Sequence, residues 1–194
     1  MKPIVVGINE VNISTEEQPI IGTTALGPCV GVLIHSQKEQ KSVVFHTSVD
    51  WQPLVVESLI MLAESGLISP ENFDKAIKSL NLHEKYRLYD FDSQLKNKLL
   101  NKKGLCISEV EETLEVTIIP GYYPDNYHVA LNMTKFFASL YPLAKIRMNP
   151  LPKKAVRTHM IEKMGSHEFF FDSKSGKFVT EKIVEQENNF TYRV

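Results

Sequence analysis

Val30-Gly31-Val32-Leu33-Ile34-His35, then Ser36-Gln37-Lys38-Glu39-Gln40-Lys41, then Ser42-Val43-Val44-Phe45-His46-Thr47 follow one another without a break. The outer runs are rich in β-branched and aromatic residues and the middle run is polar, which predicts a hairpin. With residues 36–41 as its loop, His46 faces Gly31. Gly31 lies two residues from Cys29 and therefore on the same strand face. The imidazole is then diagonal to the thiol, roughly 7–8 Å away between Cα positions. Because Gly31 has no side chain, the space between them is expected to be open. Moving the register by one residue on each strand sets His46 directly opposite Cys29. A shift of one strand alone would put them on opposite faces, so the pairing is conditional on register.

Outward from this hairpin, Ile4-Val5-Val6 and Val11-Asn12-Ile13 read as strands or one bent strand. A polar turn follows at 15–19, then a short strand over Pro19–Thr24. Gly27-Pro28 is turn punctuation immediately before Cys29. Downstream, Pro53 opens a helix that ends at Gly66, and Ser69 is placed to cap another. Leu114–Ile119 is a strand ending at Pro120-Gly121. Asp125 or Asn126 can cap a helix whose buried face carries Val129, Met133, Phe136, Phe137 and Leu140. Ala144–Met148 is a strand, Val156–Met164 a helical turn or two, and His167–Phe171 with Phe178–Ile183 a closing hairpin around 172–176. Hairpins at both ends of the chain favour a mixed or antiparallel sheet over a doubly wound one.

The chain has 194 residues, 22 Lys and Arg against 23 Asp and Glu, and a net charge of -1. That size suits one domain with a real core. The balanced charge argues against a nucleic-acid footprint. No apolar run is long enough to cross a membrane, and the N-terminal apolar run is broken too early for a signal peptide. Two cysteines, Cys29 and Cys106, do not make a disulfide scaffold, and free thiols in a reducing, cytoplasmic setting are expected. A secreted effector stays open.

A cysteine after a glycine turn with a histidine diagonal to it has the parts of a thiol nucleophile. The imidazole activates the thiol by taking its proton or by pairing with it as imidazolium. A third group usually orients the imidazole. Thr23 is a candidate if the Gly27-Pro28 turn folds its strand back beside Cys29, with Thr24, Thr47, Ser48 and Asp50 as competitors.

Thr23-Thr24-Ala25-Leu26-Gly27-Pro28-Cys29-Val30-Gly31-Val32 resembles the T-L-G-L-G-S-C-V-A-V stretch of the chemoreceptor glutamine deamidase (CheD) family. In that family the nucleophilic Cys is followed seventeen residues later by the catalytic His, and a Thr stands six positions before it. Cys29, His46 and Thr23 match in type and spacing. The resemblance covers residues 20–50, is weaker over 114–183, and is absent over 66–112, which read as a helical insertion within a single deamidase-like domain spanning 1–194. Pro28 stands where the family has Ser, Ala25 where it has Gly, and Pro120-Gly121 where it has Gly-Gly. Asn149-Pro150-Leu151-Pro152 replaces its later glycine-rich turn. These departures bear on the substrate platform more than on the trio.

The resemblance implies an α/β layered fold with a mixed or antiparallel β-sandwich-like core flanked by helices. It implies a cysteine hydrolase that deamidates a Gln or Asn side chain of a protein substrate, without metal or organic cofactor. A chemotaxis-related role belongs to the same expectation. A non-catalytic protein-binding module that keeps the fold is the alternative. His35 ends the Cys29 strand and reads as a loop-end residue rather than a catalytic one. His83, His128, His159 and His167 show no metal-ligand spacing and read as structural or exposed. Cys106 reads as a buried thiol. Tyr122, Tyr123 and Tyr127 could line a substrate mouth, as could Asp50, Trp51 and Gln52.

Overall fold

The computed structural model describes residues 2–48, 113–123, 126–148, 157–161 and 164–179, together with Lys75. The helices expected over 53–66 and after Ser69, the 66–112 insertion (Lys75 apart), Cys106, and residues 50–52 and 149–152 lie outside the described residues. So do residues 180–183 of the expected closing strand and both ends of the single domain expected over 1–194. Among the described residues, ten strands form two five-stranded sheets, and one helix accompanies them.

The hairpin forms with the expected register. Strand β4 (Val30–Ser36) pairs antiparallel with β5 (Lys41–Thr47), and Gly31 lies opposite His46. The loop is two residues tighter than the polar run suggests, because Ser36 and Lys41 still pair. On its other edge β4 pairs with β6 (Leu114–Pro120), which runs parallel to β7 (Lys145–Met148). Strand β2 (Glu10–Ile13) completes this sheet beyond β5. Parallel neighbours need a crossover, and α1 (Tyr127–Leu140) supplies it.

The second sheet is built on β3 (Ile20–Leu26). It runs parallel to β1 (Ile4–Val6) and antiparallel to β9 (Met164–Asp172). Strands β8 (Arg157–Ile161) and β10 (Lys177–Phe178) both pair with β9. Residues 157–161 are thus a strand, not the helical turn expected there. Pairing in register with Met164–Glu168 decides the conformation of a segment whose local pattern is ambiguous.

The sheets pack face to face around Val6, Ile21, Leu26, Cys29, Leu33, Val44, Ile119, Phe169 and Phe171. The other face of the β4 sheet is covered by α1, with Phe45 and Phe137 ring centroids 6.3 Å apart. Every residue of β4 is buried as a result, so its apolar run is continuous rather than alternating. Asn126 occupies the N-cap position of α1, but its side chain makes no capping bond.

The turn between β3 and β4 passes from one sheet to the other. The β3–β9 register shifts between Thr23 and Leu26, and Ala25 there has φ 59°. A side chain in this left-handed region costs about 1–2 kcal/mol, and here it is exposed at the position where the resembled stretch has glycine. Replacing Ala25 by Gly is expected to stabilise the protein by roughly 0.5–1 kcal/mol, the relief being partly offset by a freer unfolded chain. Denaturant midpoints at unchanged slope would measure it.

Candidate functional site

At the end of the sandwich where the β3–β4 turn lies, Thr23 and His46 meet across the two sheets. Thr23 Oγ1 and His46 Nδ1 are 2.8 Å apart, and both residues are fully buried. Thr23 Oγ1 is also 2.7 Å from the Val6 carbonyl oxygen. A carbonyl only accepts, so the single hydroxyl proton goes to Val6, and Nδ1–H must donate to the hydroxyl. This fixes the tautomer and leaves the lone pair on Nε2. Nε2 is buried and has no hydrogen-bond partner among the described residues.

Thr23 therefore takes the orienting position by reaching across the sandwich, not by folding back beside β4. Thr47 Oγ1 instead donates to the Ser48 carbonyl at 3.3 Å, and Ser48 Oγ to Asn9 Oδ1 at 3.4 Å. Among the described competitors, Thr23 is the hydroxyl bonded to the imidazole.

Cys29 is a free thiol, 4% exposed, in the same inter-sheet core as Leu33 and Val44. Cys29 and His46 thus share the face expected of them. They are not joined by a hydrogen bond, since Nε2 has no partner among the described residues. The space above Gly31 is also not open. A Cβ there would stand 2.8 Å from Phe169 Cε1 and 3.1 Å from Leu26 Cδ1, so those side chains fill it.

Burial sets the resting charge of both groups. It pushes the Cys29 thiol above its ordinary value and holds His46 down at about 4, against a small opposing pull from Glu10. At neutral pH the pair is thiol and neutral imidazole, not thiolate and imidazolium.

The turn around Cys29 is gripped by the chain after β6. The N–H groups of Gly121, Tyr122 and Tyr123 donate to the carbonyls of Cys29, Leu26 and Gly27 at 2.8, 3.0 and 3.2 Å. A Cβ at Gly121 would fall on those same three oxygens, so only glycine allows this approach. Tyr122, 39% exposed, packs edge-on against Tyr123 and His167. Tyr127 is exposed on α1.

His35 lies at the opposite end of β4, next to the hairpin loop, and is buried there. Its Nδ1 is 3.0 Å from Ser42 Oγ and 3.2 Å from the Lys41 carbonyl, and its ring is edge-on to Phe171. Ser173 Oγ–H donates to Ser42 Oγ at 2.8 Å, tying the two sheets together there. Burial lowers the His35 pKa, opposed by the Lys41 carbonyl, Glu115 and Asp172. His128 is exposed. His167, read from sequence only as structural or exposed, stands next to the Cys29 turn. The alternation His167, Phe169, Phe171 puts it on the core face of β9, and that was the available signal. Among the described residues no group of three or more His, Cys, Asp or Glu is placed to hold a metal ion.

No protein-family model matches the chain, and a search of curated proteins gives no match either. No helix among the described residues is long and apolar enough to cross a membrane.

Two stability outcomes follow. Thr23→Val removes the acceptor of the buried Nδ1–H and the hydroxyl that donates to the Val6 carbonyl, and is expected to cost about 1–3 kcal/mol, with Thr23→Ser costing less. His46 has a folded pKa of about 4, below its ordinary 6.5, so the unfolded chain binds more protons between those values. Stability conferred by His46 is complete above pH 6.5 and falls as pH drops toward 4, by up to about 3 kcal/mol. His46→Asn keeps a donor toward Thr23 and cannot titrate. Its denaturation free energy should therefore vary less between pH 7 and 4.5 than that of the wild type.

Proposed function

We propose that the protein is a cysteine-dependent amidohydrolase that deamidates a glutamine or asparagine side chain of a protein substrate. The observation that carries this is the Thr23–His46 hydrogen bond. It commits the imidazole to the tautomer with a bare Nε2, a general base on the core face that also holds Cys29. The CheD-like spacing of Thr23, Cys29 and His46 supports the same trio.

The neutral resting pair favours proton transfer within the attack over a preformed thiolate. Nε2 takes the Sγ proton as sulfur bonds to the carboxamide carbon, and negative charge moves to the oxygen. Nε2–H then protonates the departing nitrogen, and ammonia leaves a thioester. Water gives a proton to Nε2 as it adds to the thioester carbon. The tetrahedral adduct collapses to a carboxylic acid, and sulfur recovers its proton from the imidazole. Thr23 holds Nδ1–H throughout, so one nitrogen does all the proton work. The resemblance adds backbone amides as the oxyanion donors and no cofactor, and the sparse cysteines favour a reducing, cytoplasmic setting.

A second reading is a non-catalytic protein-binding module. It is favoured by the raised thiol pKa and by the missing Cys29–His46 hydrogen bond. Incubation with glutamine- and asparagine-bearing proteins separates the two readings. On the enzymatic reading, ammonia is released and mass spectrometry finds a carboxamide turned to carboxylate in an unbroken chain. Cys29→Ala and His46→Ala abolish both with the fold retained. An active Cys29→Ala protein would sink this reading, and cleaved chains would mean peptide-amide chemistry instead.

A further inference from the structure

The peptide unit joining Pro120 to Gly121 is bonded on both sides. Its N–H donates to the Cys29 carbonyl at 2.8 Å. Its carbonyl oxygen lies 3.4 Å from His167 Nδ1, and since a carbonyl only accepts, that nitrogen carries the proton. A two-link chain thus runs from the His167 imidazole through one rigid peptide plane to the backbone of Cys29.

The surroundings hold this plane in place. Gly121 is pressed against the carbonyls of Leu26, Gly27 and Cys29. The Tyr122 ring lies on Gly165, where a Cβ would come within 2.5 Å of it, and its centroid is 5.7 Å from that of His167. His167 itself is opposite Leu26 across β3 and β9, two residues from Phe169, which is opposite Thr23. One strand, β9, therefore flanks both Thr23 and the peptide that grips Cys29.

We propose that His167 is a positioning residue for Cys29, acting through the 120–121 peptide to hold the thiol where His46 can take its proton. The proposal rests on the reading of Cys29 and His46 as nucleophile and base. It assigns His167 no contact with substrate. The role needs an N–H at the Nδ1 position rather than a histidine as such, and an asparagine amide nitrogen can occupy nearly that position.

The test measures the rate of Cys29 alkylation by iodoacetamide at pH 7, in full-length protein carrying Cys106→Ser so that one thiol remains. Each of wild type, His167→Asn and His167→Leu is compared with its own His46→Asn partner, and thermal unfolding is followed for all six. His46→Asn is expected to slow alkylation about tenfold or more in wild type and in His167→Asn, and by less than about twofold in His167→Leu. A His167→Leu protein that keeps the full dependence on His46 overturns the proposal while leaving the nucleophile and base intact. Loss of the dependence in His167→Asn as well as in His167→Leu overturns it too, because the retained N–H should rescue. A wild-type rate indifferent to His46 removes the underlying reading, and the positioning role with it.

Discussion

The Thr23 hydroxyl has one proton, and the Val6 carbonyl at 2.7 Å, His46 Nδ1 at 2.8 Å and the Thr24 carbonyl at 3.4 Å all lie within its reach. Because the Val6 carbonyl takes it, the His46 ring can bond to Thr23 in one tautomer only. This bond crosses from one sheet to the other, so it constrains the packing of the sandwich as well as the imidazole. It depends on two registers. Thr23 must stand opposite Phe169 and His46 opposite Gly31. A one-residue slip in either strand would turn a polar side chain out of the core and leave the other buried without a partner. Burial then lowers the basicity of the ring that has been fixed. A buried neutral base with a bare lone pair costs free energy, and the apolar groups packed around it must offset that cost.

The hairpin was legible because two β-rich runs flank a polar one. Its register held although the loop is shorter than expected, since the loop loses one residue on each side. The strand–helix–strand passage from Leu114 to Met148 was legible because its periodicity changed from two to 3.6. The partnership of Thr23 with His46 was legible only as one candidate among several. Proximity in sequence suggested a fold-back beside Cys29, whereas the chain changes sheets at Gly27-Pro28 and meets His46 from across the core. The filling above Gly31 was not legible at all. It comes from Phe169, more than a hundred residues away, and from Leu26, which follows the left-handed Ala25. Residues 157–161 misled because a strand formed by pairing carries little local signal of its own.

The two ends of β4 solve the same problem in different ways. At one end His35, Ser42 and Ser173 share hydrogen bonds across the sheets, with Ser14 accepting from the Ser42 N–H at 2.8 Å. There the Nδ1 of His35 and the hydroxyls of Ser14, Ser42 and Ser173 are all hydrogen-bonded, as in an ordinary structural tie. At the other end Thr23 and His46 are tied as firmly, but Nε2 has no partner among the described residues. Both histidines are kept neutral by burial. What distinguishes them is that Nε2 of His46 is a fully buried nitrogen with no hydrogen-bond partner among the described residues, and such an atom is where a function is most reasonably sought.

The turn that carries Cys29 has no regular structure of its own, and its shape is imposed from elsewhere. Three of its carbonyls are taken by consecutive amides of residues 121–123. Those amides continue β6, which belongs to the same sheet as β4, while Leu26 ends β3 in the opposite sheet. The turn is thus fastened to both layers. A relative movement of the sheets would change the Thr23–His46 distance and strain the grip on residues 26–29 together. The left-handed Ala25 and the obligatory glycine at 121 are the local costs of that fastening, and they fall where the chain has least freedom to choose another path.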